Sequence, residues 1–286
     1  MGKEVPQNMT DMKPLHPSHS INEVIFALQF GANFPESSLR AVGDTHERLK
    51  DELPKREDLT ALGLEIKNNQ IVQPRPLGQS LSGVRFSHYR SDGTADWLVR
   101  VEHNFVAVSC LAYDRWKKVW PRAEQYLHLL APMLASPTCP VTGVGLQYVD
   151  RFIFSGEPET YSAANLFRHE CSLLPPSIYS KGPLWHVHQG CFDQRNDDFR
   201  ILNKLNINAA QAEGEHQTNI DQQLTWFFGR PLTGAAPLFD NGSHRNLSAI
   251  MNHLHQTNKK TLQSLLKDSM LEAIGLAEES KQDDTA

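Results

Sequence analysis

In the middle of the chain, apolar side chains recur near every second place. Val84–Arg90, Trp97–Glu102 and Phe105–Leu111 all show this period, which turns one face of a β-strand toward a core. Ser91-Asp92-Gly93-Thr94 and His103-Asn104 are turn sequences, so the three segments are expected to form an antiparallel meander. The period then lengthens. Trp116, Trp120, Ala123, Leu127 and Leu130 make a helical stripe behind Asp114, the expected N-cap. Pro121 should kink or restart that helix, because proline removes a backbone donor. Trp116 and Trp120 share one apolar face at this spacing and read as core packing. Past Pro137 and Pro140 the two-residue period returns in Val144–Phe154. Val144, Leu146, Tyr148, Asp150, Phe152 and Phe154 fall on one side, and Gln147, Val149, Arg151 and Ile153 on the other.

The flanks read in the same way. Asn22–Phe30 alternates as a strand, and a helix stripe follows through Leu39, Val42, His46, Leu49 and Leu53, opened by Asn33 and Pro35 and closed by Pro54. His46 reads as a partly buried helix residue rather than a ligand. Residues 55–82 are weakly patterned: Leu59, Leu62, Leu64 and Ile66 suggest a short extra element, and Gln70–Gln79, with two prolines, a crossing loop. Downstream, a short helix is expected near Ala163, Leu166 and Phe167. Strands at Leu184–Phe192, Phe199–Asn208 and Gln217–Phe228 follow, then one long helix from Asn246 to Ile274.

The order strand, helix, three meandering strands and long helix therefore occurs twice. The expected fold is α+β, with two β-α-β-β-β-α units joined edge to edge in a continuous antiparallel sheet and the long helices on one face. Residues 1–19 read as a disordered leader, 20–135 as the first unit, 141–275 as the second unit packed against it, and 276–286 as a frayed tail. The sheet's other face would stay open. Its candidate members are Arg100, Glu102, Gln147, Arg151, Lys204, Asn206, Asp221 and Gln223, either a solvated surface or a surface that captures a protein partner or small ligand.

Composition narrows the classes. A net charge of -5 argues against a general nucleic-acid binder, and the basic cluster Arg115, Lys117, Lys118 and Arg122 reads as the solvated side of a helix. No apolar run is long enough to span a bilayer, and the polar N-terminus lacks the core of a secretory signal. Cys110, Cys139, Cys171 and Cys191 are scattered without a CxxC pair, as expected of free thiols in a reducing cytoplasm.

Catalytic motifs are not evident: there is no Walker A, G-x-G-x-x-G or G-x-S-x-G sequence, and no cofactor is implied. His169-Glu170-Cys171 lacks the second histidine of HExxH, and Gly143-Val144-Gly145 precedes a strand rather than a helix. Cys110 reads as a small buried hydrophobe. His186 and His188 fall on one strand face, a device of zinc hydrolases, with His216, Glu215 or Asp193 as candidate third ligands. Asp150 stands on the apolar side of its strand, where a carboxylate needs a hydrogen-bond partner or a raised pKa. It reads as part of a structural network at the sheet–helix seam.

Four segments taken together, EVIFALQF, DG-x-x-x-WLVRVEHNFVAVSCLAYDRW, LQYVDRFIF and HLHQTNKKTLQSLL, resemble a sporadically distributed family of uncharacterised bacterial proteins. Its pattern is an N-terminal Pro-x-x-Glu-Val strand, a Tyr-x-x-Trp helix start, a Tyr-Ile-Asn strand and a late Leu-x-x-Leu-His helix. Here Ser20 replaces the proline and Asp150 the asparagine. The resemblance covers about residues 20–275, carries over no catalytic residue, and by its patchy occurrence implies a defence or mobile-element setting. The expected function is a non-enzymatic binding or regulatory component of a bacterial cytoplasmic system. Its alternatives are a metal-dependent hydrolase using His186 and His188 and a nucleic-acid-binding saddle.

Overall fold

The computed structural model describes residues 11–67, 70–212, 214–243 and 245–277. Its strands are β1 (Met12–Pro14), β2 (Ile21–Phe30), β3 (Lys55–Lys67), β4 (Gln70–Tyr89), β5 (Ala95–Glu102), β6 (Phe105–Cys110), β7 (Val141–Phe154), β8 (Trp185–Asn196), β9 (Phe199–Ala212) and β10 (Glu215–Leu232). They form one large antiparallel sheet in the order β3-β4-β5-β6-β2-β7-β10-β9-β8. β1 lies off this path and continues the line of β2 along β7, with Met12 opposite Phe154. The helices are α1 (Glu36–Asp44), α2 (His46–Leu49), α3 (Trp116–Leu134), α4 (Ala236–Phe239), α5 (Leu247–Leu265) and α6 (Asp268–Ala273).

Cross-strand register explains the covered face. Val108, Phe26, Leu146 and Leu224 are aligned from β6 to β10 and all are buried. Over them lie α3 and the first half of α5, whose buried apolar residues belong to the same core. The two helices are tied together by their polar edges. Trp116 Nε1 donates to Asn252 Oδ1 at 2.9 Å, and Trp120 Nε1 donates to Ser248 Oγ at 2.9 Å. The paired tryptophans are therefore packing residues, as their spacing predicts. Pro121 and Pro132 sit at exposed positions of α3, and the helix runs through both. A carbonyl left without its donor on that side can be solvated.

Several elements depart from the sequence pattern. Residues 11–19, expected within a disordered leader, take part in the fold: Met12 is 1% exposed and packs with Phe152 and Phe154. Residues 1–10 lie outside the described residues, as do 278–286 of the expected tail. Gln70–Gln79 is not a crossing loop but the outer part of β4, paired with β3. There β4 pairs with β3 alone, and a two-stranded ribbon tolerates Pro74 and Pro76 as an edge does. The helix expected up to Pro54 breaks at Thr45, whose hydroxyl donates to the Val42 carbonyl at 2.6 Å. Between β7 and β8 the expected short helix is replaced by three 3₁₀ turns, and only Ala163–Asn165 falls on it.

Asp114 does not cap α3; it pairs with Lys118 instead, and Arg115 occupies the cap position. Asn246 does cap α5, accepting from the Ala249 amide at 3.1 Å. The last helix stops at Leu265, because Leu266 bridges to Phe167 in extended conformation and α6 starts afresh. No helix among the described residues is long and apolar enough to cross a membrane. All four cysteines are free thiols, with Cys191 exposed.

If residues around Met12 belong to the core, truncating its side chain should be felt as a core substitution. Met12→Ala is expected to lower stability by about 2–4 kcal/mol, the usual cost of a large-to-small change at a buried site. Urea denaturation checks this; a change near zero would return residues 11–19 to a detached leader.

Candidate functional site

The uncovered face of the sheet has a floor of short side chains. Ala107, Ala27, Gly145 and Thr225 stand in one cross-strand row spanning β6, β2, β7 and β10. Longer side chains close the row at each end, Arg100 on β5 and Leu202 on β9. A Cβ built on Gly145 would meet that of Ala27 at 3.4 Å, so the glycine deepens the floor rather than relieving a clash. On one flank the neighbouring row carries Phe105 and Phe227; on the other it carries Ile25, Gln147, Gln223 and Lys204. The result is a hollow of about 450 Å³, within the size range of ligand sites.

Arg100, Gln147, Lys204 and Gln223, expected on the open face from alternation alone, all line this hollow. Glu102 stands next to it, 3.2 Å from the Arg100 guanidinium, which also lies over the Phe105 ring at 5.8 Å. Asp221 accepts from Gln147 Nε2 at 2.8 Å. Burial raises the Asp221 pKa, and the Gln147 hydrogen bond and nearby His188 work the other way. Arg151 lies beyond the hollow, donating to Asn219 Oδ1 at 3.1 Å, and is not brought to it. Asn206 is aligned with Asp221 and sits 2.7 Å from His186 Nε2.

The floor residues and the aromatic flank were missed by sequence reasoning. Small residues mark a hollow only when the register sets them side by side, and no local signal reports that. Phe192 reads from the sequence as a strand residue, with nothing to assign it to this face. It is 59% exposed beside the hollow, with Arg200 over its ring at 5.2 Å and over Phe227 at 5.7 Å.

His186 and His188 do share the open face, with ring centroids 6.4 Å apart. The proposed third ligands are not brought to them. His216 pairs opposite Phe154 and Asp193 opposite Ile201, both on the covered side. Glu215 is four residues along β10 from Asn219, the residue in line with His186 two strands away, and thus more than roughly 13 Å from that histidine. Among the described residues no group of three or more His, Cys, Asp or Glu side chains is placed to hold a metal. His46 stacks on Phe86 at 5.6 Å and contacts the Leu53 carbonyl at 3.1 Å, as a half-buried helix-end residue would. Burial pushes the Cys110 thiol up to about 11, so it stays protonated and inert.

A second polar group lies on the covered face. Asp150 is 1% exposed; its Oδ1 accepts from Ser20 Oγ at 2.7 Å, and its Oδ2 has no hydrogen-bond partner among the described residues. Burial raises its pKa to about 6, with the Ser20 hydrogen bond as a partial offset. Tyr148, next on the same strand face, lies 2.9 Å by its hydroxyl from His255 Nδ1. Burial, helped by Lys259, lowers the His255 pKa to about 4, so this imidazole is neutral at physiological pH. The network expected around Asp150 is thus half present: one carboxylate oxygen is satisfied and the other is not.

No protein-family model, no curated protein and no solved structure matches the chain. Function must therefore be read from the geometry.

The raised pKa of Asp150 has a stability consequence with a definite sign. Folded protein holds this proton more tightly than unfolded chain does, so the associated stability is full below about pH 4 and lost as pH rises through 6. The loss above pH 6 is about 3 kcal/mol, the free-energy equivalent of moving a fully buried carboxyl from 3.8 to about 6. Asp150→Asn keeps an acceptor for Ser20 and removes the charge. It should melt higher than wild type at pH 7.5, and the difference should vanish near pH 4. Paired thermal melts across that range check this; a variant less stable at every pH would make Asp150 a satisfied structural carboxylate.

Proposed function

We propose that this chain is a non-enzymatic binding component whose working surface is the open face of the sheet. Its hollow receives a segment of a protein partner that presents a carboxylate beside an apolar side chain. The observation that carries this reading is the convergence of Arg100, Gln147, Lys204 and Gln223, from four different strands, around a floor of small residues. Charge and aromatic content name the partner's chemistry. Lys204 and Arg100 offer cations, while Phe105, Phe227 and the exposed Phe192 with Arg200 offer apolar contact. Aromatic and arginine side chains around a pocket are the composition of protein-interface hot spots. Rigid strands with fixed charges favour selective capture.

The alternatives are less well supported. A hydrolase using His186 and His188 needs a third ligand, and the candidates fall elsewhere. A nucleic-acid saddle is disfavoured by Glu102 and Asp221 on the same face and by the net charge of -5. A bacterial cytoplasmic setting, and membership of the sporadically distributed family with its defence or mobile-element association, belong to this reading as proposals resting on the motif segments. So does the descent of the sheet from two copies of one β-α-β-β-β-α plan. The order β4-β5-β6-β2 mirrored by β8-β9-β10-β7 supports it, while β3 and the 3₁₀ turns depart from it.

Two variants test the surface without touching the core: Lys204→Glu reverses a lining charge, and Gly145→Val fills the floor. Affinity capture from the native host, at matched melting temperature, should show a partner retained by wild type and recovered about tenfold less with either variant, a loss of ~1.4 kcal/mol. The captured protein should bind the wild type directly once purified, and lose affinity when its own acidic segment is neutralised. Equal recovery with all three proteins would make this face ordinary solvated surface. Displacement of a small molecule in place of a protein would move the reading to a ligand carrier.

A further inference from the structure

Between the covered face of the sheet, α5 and the segment after α6 lies a separate cavity of about 310 Å³. Asp150, Tyr148, Tyr113, Trp116 and His255 contribute to its walls, and Arg115 and Lys259 are cations of its lining. Asp150, a lining residue, supplies the unusual feature: a fully buried carboxylate with one oxygen that has no partner among the described residues. Nδ1 of His19, also lining the cavity, is a second buried polar atom without a partner among the described residues. A buried polar atom with no partner is costly, and interiors rarely retain one without a use for it.

The surroundings define what would satisfy Asp150. No cation among the described residues pairs with it, and its one hydrogen-bonded neighbour is the neutral Ser20 hydroxyl. Next along the wall are aromatic rings: Tyr113 stands edge-on to Tyr148 at 6.3 Å, and Trp116 stacks flat on His255 at 4.1 Å. A carboxylate beside electron-rich rings suits a cationic nitrogen. Lys259 and the exposed Arg115 also line the cavity, and these cations would repel a polycation and attract an anion. A sphere of this volume is roughly 8 Å across, longer than the amine-to-carboxylate reach of a simple α-amino acid.

We propose that this cavity binds a small zwitterion, a basic or ω-amino acid, with its side-chain ammonium or guanidinium on Asp150 and its carboxylate toward Arg115 and Lys259. This site is independent of the open-face hollow: the two lie on opposite faces of β7, and either can fail without the other. Ligand entry would complete the hydrogen bonding of Asp150, and the aromatic wall would contribute cation–π attraction. No bond is made or broken, so the role is recognition.

Calorimetric titration of the full chain tests it with L-arginine, L-lysine and 6-aminohexanoate as probes. At least one should bind with Kd below about 1 mM. L-Citrulline, the neutral isostere of arginine, should bind about tenfold or more weakly, as should the best probe to Asp150→Asn. Arg115→Glu, an exposed change that leaves the core alone, should weaken L-arginine but not agmatine, which lacks the carboxylate. The proposal is overturned if none of the three probes gives saturable heat up to about 10 mM. It is equally overturned if citrulline matches arginine, or if Asp150→Asn and Arg115→Glu both bind the best probe as wild type does.

Discussion

Everything in this molecule depends on the antiparallel pairing of β2 with β7. It is the seam where the strands before α3 meet the strands after it, and its register fixes both faces of the sheet at once. Phe26 opposite Leu146 puts large apolar groups under α3 and α5. Ala27 opposite Gly145, one residue on, puts the smallest pair at the floor of the open hollow. A slip of one residue would exchange the two faces along the whole strand. Two shifts in that register, near Ile21/Glu23 and Gln29/Phe30, confine the regular pairing to the stretch that needs it. Beyond the first shift, β1 takes over as the neighbour of β7, so Phe154 stays paired.

The covered face is not uniformly apolar. One core cluster runs from β2 and α3 to the first half of α5, and a second from Met12 and Phe152 to α6. Between them crosses a band of polar side chains. Gln222 donates to Asn203 Oδ1 at 3.0 Å and to Thr261 Oγ1 at 2.9 Å, and accepts from Asn258 at 2.8 Å. Apolar contact alone would let a helix slide along a flat sheet with little penalty. A buried amide that fits in only one place sets α5 at one position along β10, because misplacement leaves its polar atoms unsatisfied.

Strand existence and facing were legible in the sequence wherever one face was polar and the other apolar. Val144–Phe154 shows this best: its alternation predicts both the buried set and the exposed set, and from the exposed set comes Gln147. The same alternation on β5, β9 and β10 supplied Arg100, Lys204 and Gln223. What it could not supply was the neighbour of each residue across the sheet. Ala27, Ala107 and Gly145 carry no signal in one dimension, since smallness is informative only in register. Phe192 and Arg200 fail for a related reason, as each reads as one more strand residue. Gln70–Gln79 misled because prolines were weighed as breakers before it could be known that β4 has a single neighbour there. Leu266 continues the helical stripe perfectly well, and only the bridge to Phe167, a hundred residues away in sequence, explains the break.

Asp150 then stands apart from the other polar residues of the seam. Gln222, Asn258 and Thr261 are uncharged and have found partners, so their burial costs little beyond the ordering of the groups themselves. Asp150 is ionisable, has one oxygen unsatisfied, and occupies a position where a neutral amide could still accept from Ser20. A purely structural requirement would be met more cheaply by that amide. On the β10 side β7 pairs regularly here, with Ile220 opposite Asp150, while on the β2 side the register shifts just past Ile21, its partner there. The carboxylate is held rigidly, desolvated and half satisfied, which is the state of an acceptor awaiting a donor from outside the chain. A pre-formed acceptor carries its desolvation cost in the free protein, so an incoming cation meets a site already stripped of competing water. That is why the least stabilising residue of the seam is also the one best placed to recognise a ligand.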